Sequence, residues 1–226
     1  MMSYWVLFIG IAVVSWLVQM NLQNKFKKYS KIPTGNGMTG RDVALKMLHD
    51  NGIYDVQVTH TPGRLTDHYN PTNKTVNLSE AMKKTNRKTA PAVAAHECGH
   101  AVQHARMYAP LKMRSALVPV VNFASSIMTW VLLGGILLIN SFPQLLLAGI
   151  ILFAMTTLFS FITLPVEINA SKRALVWLSS SGITNSYNHA QAEDALRSAA
   201  YTYVVAALGS LATLVYYIMI FMGRRD

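Results

Sequence analysis

Long apolar stretches alternate with two polar stretches along this chain. Residues 1–24, 115–166 and 198–223 contain no Asp, Glu, Lys or Arg. A helix needs about 20 apolar residues to cross the hydrocarbon core of a bilayer, so each outer stretch holds one such helix and the middle stretch holds two. Residues 140–144 group polar side chains around a proline and are the expected turn between those two. The pattern therefore predicts four membrane-spanning helices.

This pattern divides the chain into five segments. We expect a first membrane helix at residues 1–22, a polar segment at 23–116, a hairpin of two membrane helices at 117–165, a second polar segment at 166–199 and a fourth membrane helix at 200–222. The first helix is interpreted as a retained anchor and not as a cleaved signal peptide. No basic residue precedes its apolar run, and no small-residue cleavage site follows it. The predicted fold is mostly α-helical and integral to the membrane.

The first polar segment contains both helix and strand patterns. Thr39 is a favourable N-cap for a helix that ends before Gly52. Residues 53–60 predict a strand, and residues 66–79 predict a β-hairpin with an Asn-Pro-Thr-Asn turn. An alanine-rich helix follows at residues 91–104. The segment is therefore expected to combine helices with a small sheet.

Basic residues indicate how the chain is oriented in the membrane. Of the 20 Lys and Arg residues, 15 lie between Lys25 and Arg114 and three more lie in the second polar segment. Short loops rich in Lys and Arg usually remain in the cytoplasm. We therefore expect both polar segments to face the cytoplasm and the N-terminus to lie outside. Arg224 and Arg225 oppose this orientation, since four spans would also place the C-terminal end outside.

Composition narrows the classes of partner. Apolar residues make up 52% of the chain and charged residues 13%, about half the charged share of a soluble globular protein. The net charge of +10 is interpreted as orientation and as attraction to anionic lipid headgroups, because no nucleic-acid-binding motif accompanies it. The single cysteine, Cys98, excludes an intramolecular disulfide. The expected partner is the lipid bilayer, and nucleic acid is not expected.

A metal-binding pattern lies on the alanine-rich helix. His96-Glu97-Cys98-Gly99-His100 matches H-E-x-x-H, in which two histidines one turn apart on one helix face can reach the same ion. Zinc is the expected ion, because it accepts neutral imidazole and carboxylate ligands. Glu97 is expected to act as general base toward the attacking water. The alternative is an amphipathic helix that carries two histidines by chance.

Glu167 is the expected third ligand of a hydrolytic zinc site. It is the first charged residue after 52 uncharged ones, and a carboxylate at the edge of the bilayer is costly unless it is paired or binds a cation. The predicted hairpin of two spans returns the chain to the side that holds His96 and His100. His104 lies about 12 Å along the helix from His96, too far to share an ion. The alternative for Glu167 is an exposed glutamate at the interface.

Two sequence elements together resemble a known family. They are His-Glu-Cys-Gly-His and, after two spans, Leu-Pro-Val-Glu-Ile-Asn-Ala-Ser at residues 164–171. They are similar to the bacterial membrane neutral zinc metallopeptidases of the YugP type, and more distantly to HtpX-type gluzincins. The resemblance covers nearly the whole chain. It implies a cytoplasmic, zincin-like α+β catalytic domain, one Zn²⁺ per chain held by His96, His100 and Glu167, and Glu97 as the catalytic residue.

Two positions depart from the HtpX pattern. An acidic residue is usual five positions after the second histidine, where this chain has Ala105, and the Asp of Glu-x-x-Ala-Asp is replaced by Ser171. Such acids orient the metal ligands. Ser171, Asn169 or His104 is expected to take over this role, and His104 could instead face the substrate or lie on the surface. The residue that stabilises the oxyanion is not assigned.

The sequence predicts a membrane-bound zinc metalloendopeptidase of the bacterial inner membrane, with its active site facing the cytoplasm and a membrane-associated protein or peptide as substrate. By analogy with HtpX-type enzymes, residues 75–78 are expected to line the substrate cleft, and an extended substrate to pair with an edge strand near Val76. One alternative is an intramembrane protease, which the polar flanks of the metal-binding helix oppose. The other is a non-catalytic membrane scaffold with a structural zinc site, in which Glu97 would have no role. Oligomeric state stays open.

Overall fold

The computed structural model describes residues 2–30, 37–63, 65–83 and 89–223. Arg224 and Arg225, which bear on the predicted orientation, lie outside these residues. The elements in chain order are α1 (Met2–Tyr29), α2 (Gly40–Asp50), β1 (Gln57–Thr61), β2 (His68–Asn70), β3 (Thr75–Ser79), α3 (Glu80–Lys83), α4 (Thr89–Ala105), α5 (Ala109–Leu137), α6 (Pro143–Ser180) and α7 (Ser186–Met222). The fold is mostly α-helical with one small sheet, as predicted.

Four of the described helices are long and apolar enough to cross a membrane. They are the segments Trp5–Tyr29, Ala109–Leu137, Pro143–Ser180 and His189–Met222. This confirms the expected number of spans. The helices α5, α6 and α7 extend beyond the predicted spans into the polar segments. Helix α6 runs through Pro165 without a break, so a single helix joins the membrane part of the chain to the second polar segment.

The four long helices pack side by side in the order α5, α6, α7 and α1. Apolar side chains such as Leu132 of α5 and Leu146 of α6 fill the contact within the hairpin. Helix α1 packs along α7, where Asp194 accepts hydrogen bonds from Lys25 Nζ and from the Tyr29 hydroxyl, each at 2.6 Å. Helices α1 and α7 therefore pack together next to the hairpin of α5 and α6.

The polar segments share one apolar core with the C-terminal part of α6 and the N-terminal part of α7. Thr39 caps α2 in a reciprocal box with Asp42, as expected for its N-cap position, and Gly52 follows the helix with a φ of +72° that favours glycine. The buried core side chains include Val43, Met47, Leu48, Val76, Leu78, Ala94, Cys98, Val102, Ala174, Leu178 and Leu196. The core therefore joins α2, the sheet and α4 to the two last long helices.

The sheet corrects two expectations from the sequence. Its strand order is β1-β3-β2, with β1 parallel and β2 antiparallel to β3. The expected edge strand near Val76 is therefore wrong, because Val76 lies in the central strand between Val58 and Tyr69. The hairpin pattern in the sequence indicated that β3 pairs with β2. It could not indicate that β3 also pairs with β1, because this parallel pairing joins residues about 18 positions apart. The first strand also begins at Gln57 and not at residue 53, because its ladder with β3 starts there.

Candidate metal centre

Helices α4 and α6 cross in direct backbone contact at Gly99. A Cβ atom at this position would lie 2.6 Å from the carbonyl oxygen of Ala170 and 3.1 Å from its Cα. Only glycine lets the helices approach so closely. Gly99 lies directly before His100 on α4, and Ala170 lies one turn after Glu167 on α6. The crossing therefore brings the two parts of the predicted site together.

Three side chains meet at this crossing. His96 Nε2 lies 3.3 Å from Glu167 Oε2, and His100 Nε2 lies 3.6 Å from the same oxygen. Ligand atoms of the three residues all fall within 4.8 Å of one another. His100 and Glu167 are buried, and His96 is partly buried. The structure thus assembles the three residues predicted as ligands into a cluster that could hold a metal ion.

A chain of hydrogen bonds sets the orientation of His100. Its Nδ1 lies 3.1 Å from Oε1 of the fully buried Gln103. Gln103 Nε2 in turn donates to the carbonyl of Val166 at 2.9 Å and to Oδ1 of Asn169 at 3.0 Å. A carbonyl oxygen only accepts hydrogen bonds, so the amide of Gln103 has one possible orientation. Its oxygen faces the imidazole, and His100 Nδ1 must be the donor.

This tautomer of His100 is compatible with a cation bound between the clustered side chains. With its proton on Nδ1, neutral His100 directs the lone pair of Nε2 toward the carboxylate oxygen of Glu167. Two acceptors that face each other repel unless a positive charge lies between them. Ser171 also contacts a histidine of the cluster, with its Oγ 3.0 Å from Nδ1 of His96. Two imidazoles and one carboxylate are a donor set that zinc accepts, so the residues present fit the expected metal.

The three residues expected to support the ligands have different positions. Ser171 contacts His96 directly. Asn169 accepts a hydrogen bond from Gln103, which in turn contacts His100. His104 lies apart from the cluster on the exposed side of α4, where its Nδ1 is 2.7 Å from the hydroxyl of Tyr69 on β2. His104 therefore connects α4 to the sheet and does not contact the three clustered side chains.

Glu97 is buried beside the cluster with little exposure to solvent (8%). Burial raises the pKa of its carboxyl group to about 7, and the negative charges of Glu167 and Asp67 add to this effect. The imidazole of His96 and a hydrogen bond from the backbone N–H of Tyr69 act in the opposite direction. A carboxyl group that titrates near neutrality can both accept and return a proton. The role of Glu97 as general base stays a prediction.

Sequence reasoning missed three residues of the site. Gln103 could have been found, because it lies three positions after His100 and so shares its helix face. Arg114 of α5 approaches Glu167 Oε1 with its Nη1 at 3.3 Å, and Tyr203 on α7 lines both clefts that include Glu167. No local pattern indicates either of these two, because only the packing of α5 and α7 against α6 brings them to the site.

Two clefts meet at the cluster. The first, here called the β2 cleft, has a volume of about 260 Å³, and its lining includes His68, Tyr69, Leu111, Arg114 and Val118. The second, here called the α1 cleft, has a volume of about 250 Å³, and its lining includes Gln19, Leu22, Phe26, Leu65 and Leu196. Five residues line both clefts: Asp67, His96, Glu97, Glu167 and Tyr203. A larger cavity of about 710 Å³ between α6 and α7 contains none of the three clustered side chains.

Comparisons with known proteins agree with this geometry. Residues 4–222 match the model of a family described as "Putative neutral zinc metallopeptidase". A relative from Bacillus subtilis (strain 168), named "Putative membrane protease YugP", is 43% identical over 222 residues, which cover 97% of this chain and 98% of the relative. No solved structure is significantly similar to the chain.

The helix crossing can be tested with Gly99→Ala. Alanine is more favourable than glycine inside a helix by about 1 kcal/mol, so a local effect would stabilise the protein. We expect the opposite, because the added Cβ would collide with Ala170. Thermal unfolding should occur at lower temperature, and zinc should be retained less well against a chelator. Gly10→Ala is the matched control, since a Cβ at Gly10 meets no atom within 4 Å. If Gly99→Ala behaves like Gly10→Ala, the close crossing is not required.

The hydrogen bond from His100 to Gln103 can be tested with Gln103→Leu. Leucine has a similar size but cannot accept the proton of Nδ1, so the imidazole loses the contact that orients it. Loss of such a partner weakens metal binding by about 10–100-fold. The measurement is zinc affinity by competition with a chromogenic chelator. His104→Ala on the same helix should leave the affinity unchanged, and an equal loss in both variants would contradict the assigned roles.

Proposed function

Because the chain belongs to this family of neutral zinc metallopeptidases, we propose that it is a membrane-bound zinc metalloendopeptidase that acts on membrane or membrane-proximal proteins. One observation carries the proposal. A buried carboxyl group, Glu97, lies beside a cluster of two histidines and a glutamate that fits zinc. Hydrolysis needs both of these parts, namely a metal held by three protein ligands and an adjacent base.

His96, His100 and Glu167 would hold the zinc ion. When bound, zinc polarises the scissile carbonyl and makes water a stronger nucleophile. Glu97 accepts a proton from the attacking water and passes it to the nitrogen of the leaving amine. Its raised pKa suits both steps, since the group is partly ionised near neutral pH. The hydrogen-bonded contacts of Gln103 and Ser171 keep the imidazoles in place throughout.

Strand β2 is the proposed guide for the substrate backbone. It replaces the strand near Val76 in this role, because β2 lies at an edge of the sheet and lines a cleft together with Glu97 and His100. The backbone N–H of Tyr69 donates a hydrogen bond to Glu97, so this strand lies directly beside the base. An extended peptide can add to such an edge and use its main-chain hydrogen bonds. The substrate is therefore a protein or peptide in extended conformation.

The position of the clefts favours substrates at the membrane surface. The α1 cleft is lined by Gln19 and Leu22 of the first candidate span, and the β2 cleft by Val118 of the second. A chain that enters either cleft must pass next to the bilayer. Together with the distribution of basic residues, this supports a multi-pass protein of the bacterial plasma membrane that cleaves proteins on the cytoplasmic side.

A non-catalytic scaffold with structural zinc is the alternative function. Structural zinc sites are closed by four protein ligands, whereas the cluster found among the described residues has three. A structural site also has no use for Glu97, whose burial as a carboxyl group costs free energy. Both observations favour the enzyme.

Glu97→Gln separates the two functions. Glutamine keeps the size of the side chain but cannot accept the proton, so we expect zinc content to equal that of the wild type and cleavage to fall by at least about 100-fold. Zinc per chain and cleavage of an unfolded protein are measured on the full chain in detergent. Equal cleavage by both proteins would contradict the role of Glu97. If both bind zinc and neither cleaves, the scaffold is supported.

The orientation can be tested by cysteine labelling in intact cells. The native Cys98 is fully buried and should not react with a bulky maleimide. A membrane-impermeant maleimide should label Ser141→Cys, in the turn between α5 and α6, but not Lys46→Cys on α2. After permeabilisation both should react. The reverse pattern would contradict the cytoplasmic active site, and equal labelling in intact cells would contradict the membrane hairpin.

A further inference from the structure

The proposed zinc ligands and base leave one chemical role without a residue, namely stabilisation of the oxyanion. Attack of water on an amide carbonyl moves negative charge onto the carbonyl oxygen, and enzymes place a hydrogen-bond donor where this charge develops. Glu97 cannot serve, because it acts on the water and the leaving nitrogen. The donor must come from another side chain at the point where the substrate crosses the cluster.

The two clefts locate this point. A substrate that occupies both clefts has its scissile bond where they meet, next to the residues that line both. Those residues are Asp67, His96, Glu97, Glu167 and Tyr203. Two are proposed metal ligands and one is the base. Asp67 accepts hydrogen bonds from the backbone N–H and the hydroxyl of Ser79, which leaves Tyr203 as the hydroxyl donor of the set.

On this basis, and resting on the proposed peptidase function, we propose that Tyr203 is a catalytic residue that donates a hydrogen bond to the oxyanion. Its side chain lines both clefts beside His96, Glu97 and Glu167, so it lies next to the cluster that could hold the metal. A phenol carries its proton at neutral pH, since its ordinary pKa is about 10. Tyr203 donates a hydrogen bond and transfers no proton. The proton balance between water, Glu97 and the leaving amine is unchanged.

Three other donors near the site do not lie at the point where both clefts meet. Arg114 lines only the β2 cleft, and its guanidinium donates to Glu167 Oε1. The hydroxyl of Tyr69 is 2.7 Å from His104 Nδ1, on the exposed side of α4. The Nδ1 of His68 is held by the carbonyl of Thr66 at 2.8 Å. None of these three residues also lines the α1 cleft.

This assignment gives the last long helix a part in the chemistry. Tyr203 lies within the candidate span His189–Met222, whereas Glu97 lies on α4 and Glu167 on α6. The base, a metal ligand and the oxyanion donor therefore come from three different helices. The packing of α7 against α6 becomes a condition for catalysis and not only for anchoring.

The test compares Tyr203→Phe with wild type as full-length, zinc-loaded protein in detergent. Removal of one oxyanion donor lowers kcat by about 10²–10³-fold, and we expect KM and zinc content to change little. A second readout is the Kd of a phosphinic peptide, whose tetrahedral phosphorus group imitates the transition state. Its affinity should weaken by a similar factor, whereas that of a product peptide should not. Tyr201→Phe is the matched control on the same helix, because Tyr201 bonds Arg197 and lines the cavity between α6 and α7.

Each outcome decides the proposal. Unchanged kcat and unchanged phosphinate affinity in Tyr203→Phe overturn it while the peptidase function stands. Loss of zinc in this variant also overturns it, since Tyr203 would then only support Glu167. An equal loss in Tyr201→Phe would indicate a general effect on α7 and contradict a specific donor. A wild type that neither cleaves protein nor binds the phosphinate overturns the peptidase function and, with it, this inference.

Discussion

The backbone contact between α4 and α6 is the constraint on which the site depends. Helix α4 carries His96, Glu97 and His100, and α6 carries Glu167 within the candidate membrane span Pro143–Ser180. Ligand atoms about 2 Å from one ion require the two helix axes to be unusually close. Gly99 permits this distance because it has no side chain toward Ala170. The membrane helix thereby becomes a wall of the metal centre.

Charge balance explains why a glutamate is tolerated at this depth. Glu167 is almost fully buried, and a lone buried carboxylate costs several kcal/mol. Two imidazoles and the guanidinium of Arg114 surround it. Arg114 contacts Oε1, and the histidines contact Oε2. One oxygen thus faces the guanidinium cation, and the other faces the two histidines with which it could share a metal ion. The same pairing connects α5 to α6.

Contacts of Tyr69 hold the small sheet against α4. Tyr69 on β2 contacts both Glu97 and His104 of this helix. The edge strand β2 therefore lies directly beside Glu97 and the three clustered side chains. The clefts on both sides include residues of the candidate membrane helices, and this is the basis for proposing membrane-proximal substrates.

The sequence by itself determined the features that depend on local pattern. Runs without charge showed four apolar helices, the spacing of His96 and His100 showed a shared helix face, and Thr39 marked the start of α2. These features follow from the helix period and from capping. The isolated charge of Glu167 added the third member of the cluster. Only the tertiary structure decided which strand is central and which distant residues complete the site. Val76 lies inside the sheet because a non-local parallel strand pairs with it, and Arg114 and Tyr203 lie beside Glu167 because helices far apart in sequence pack together.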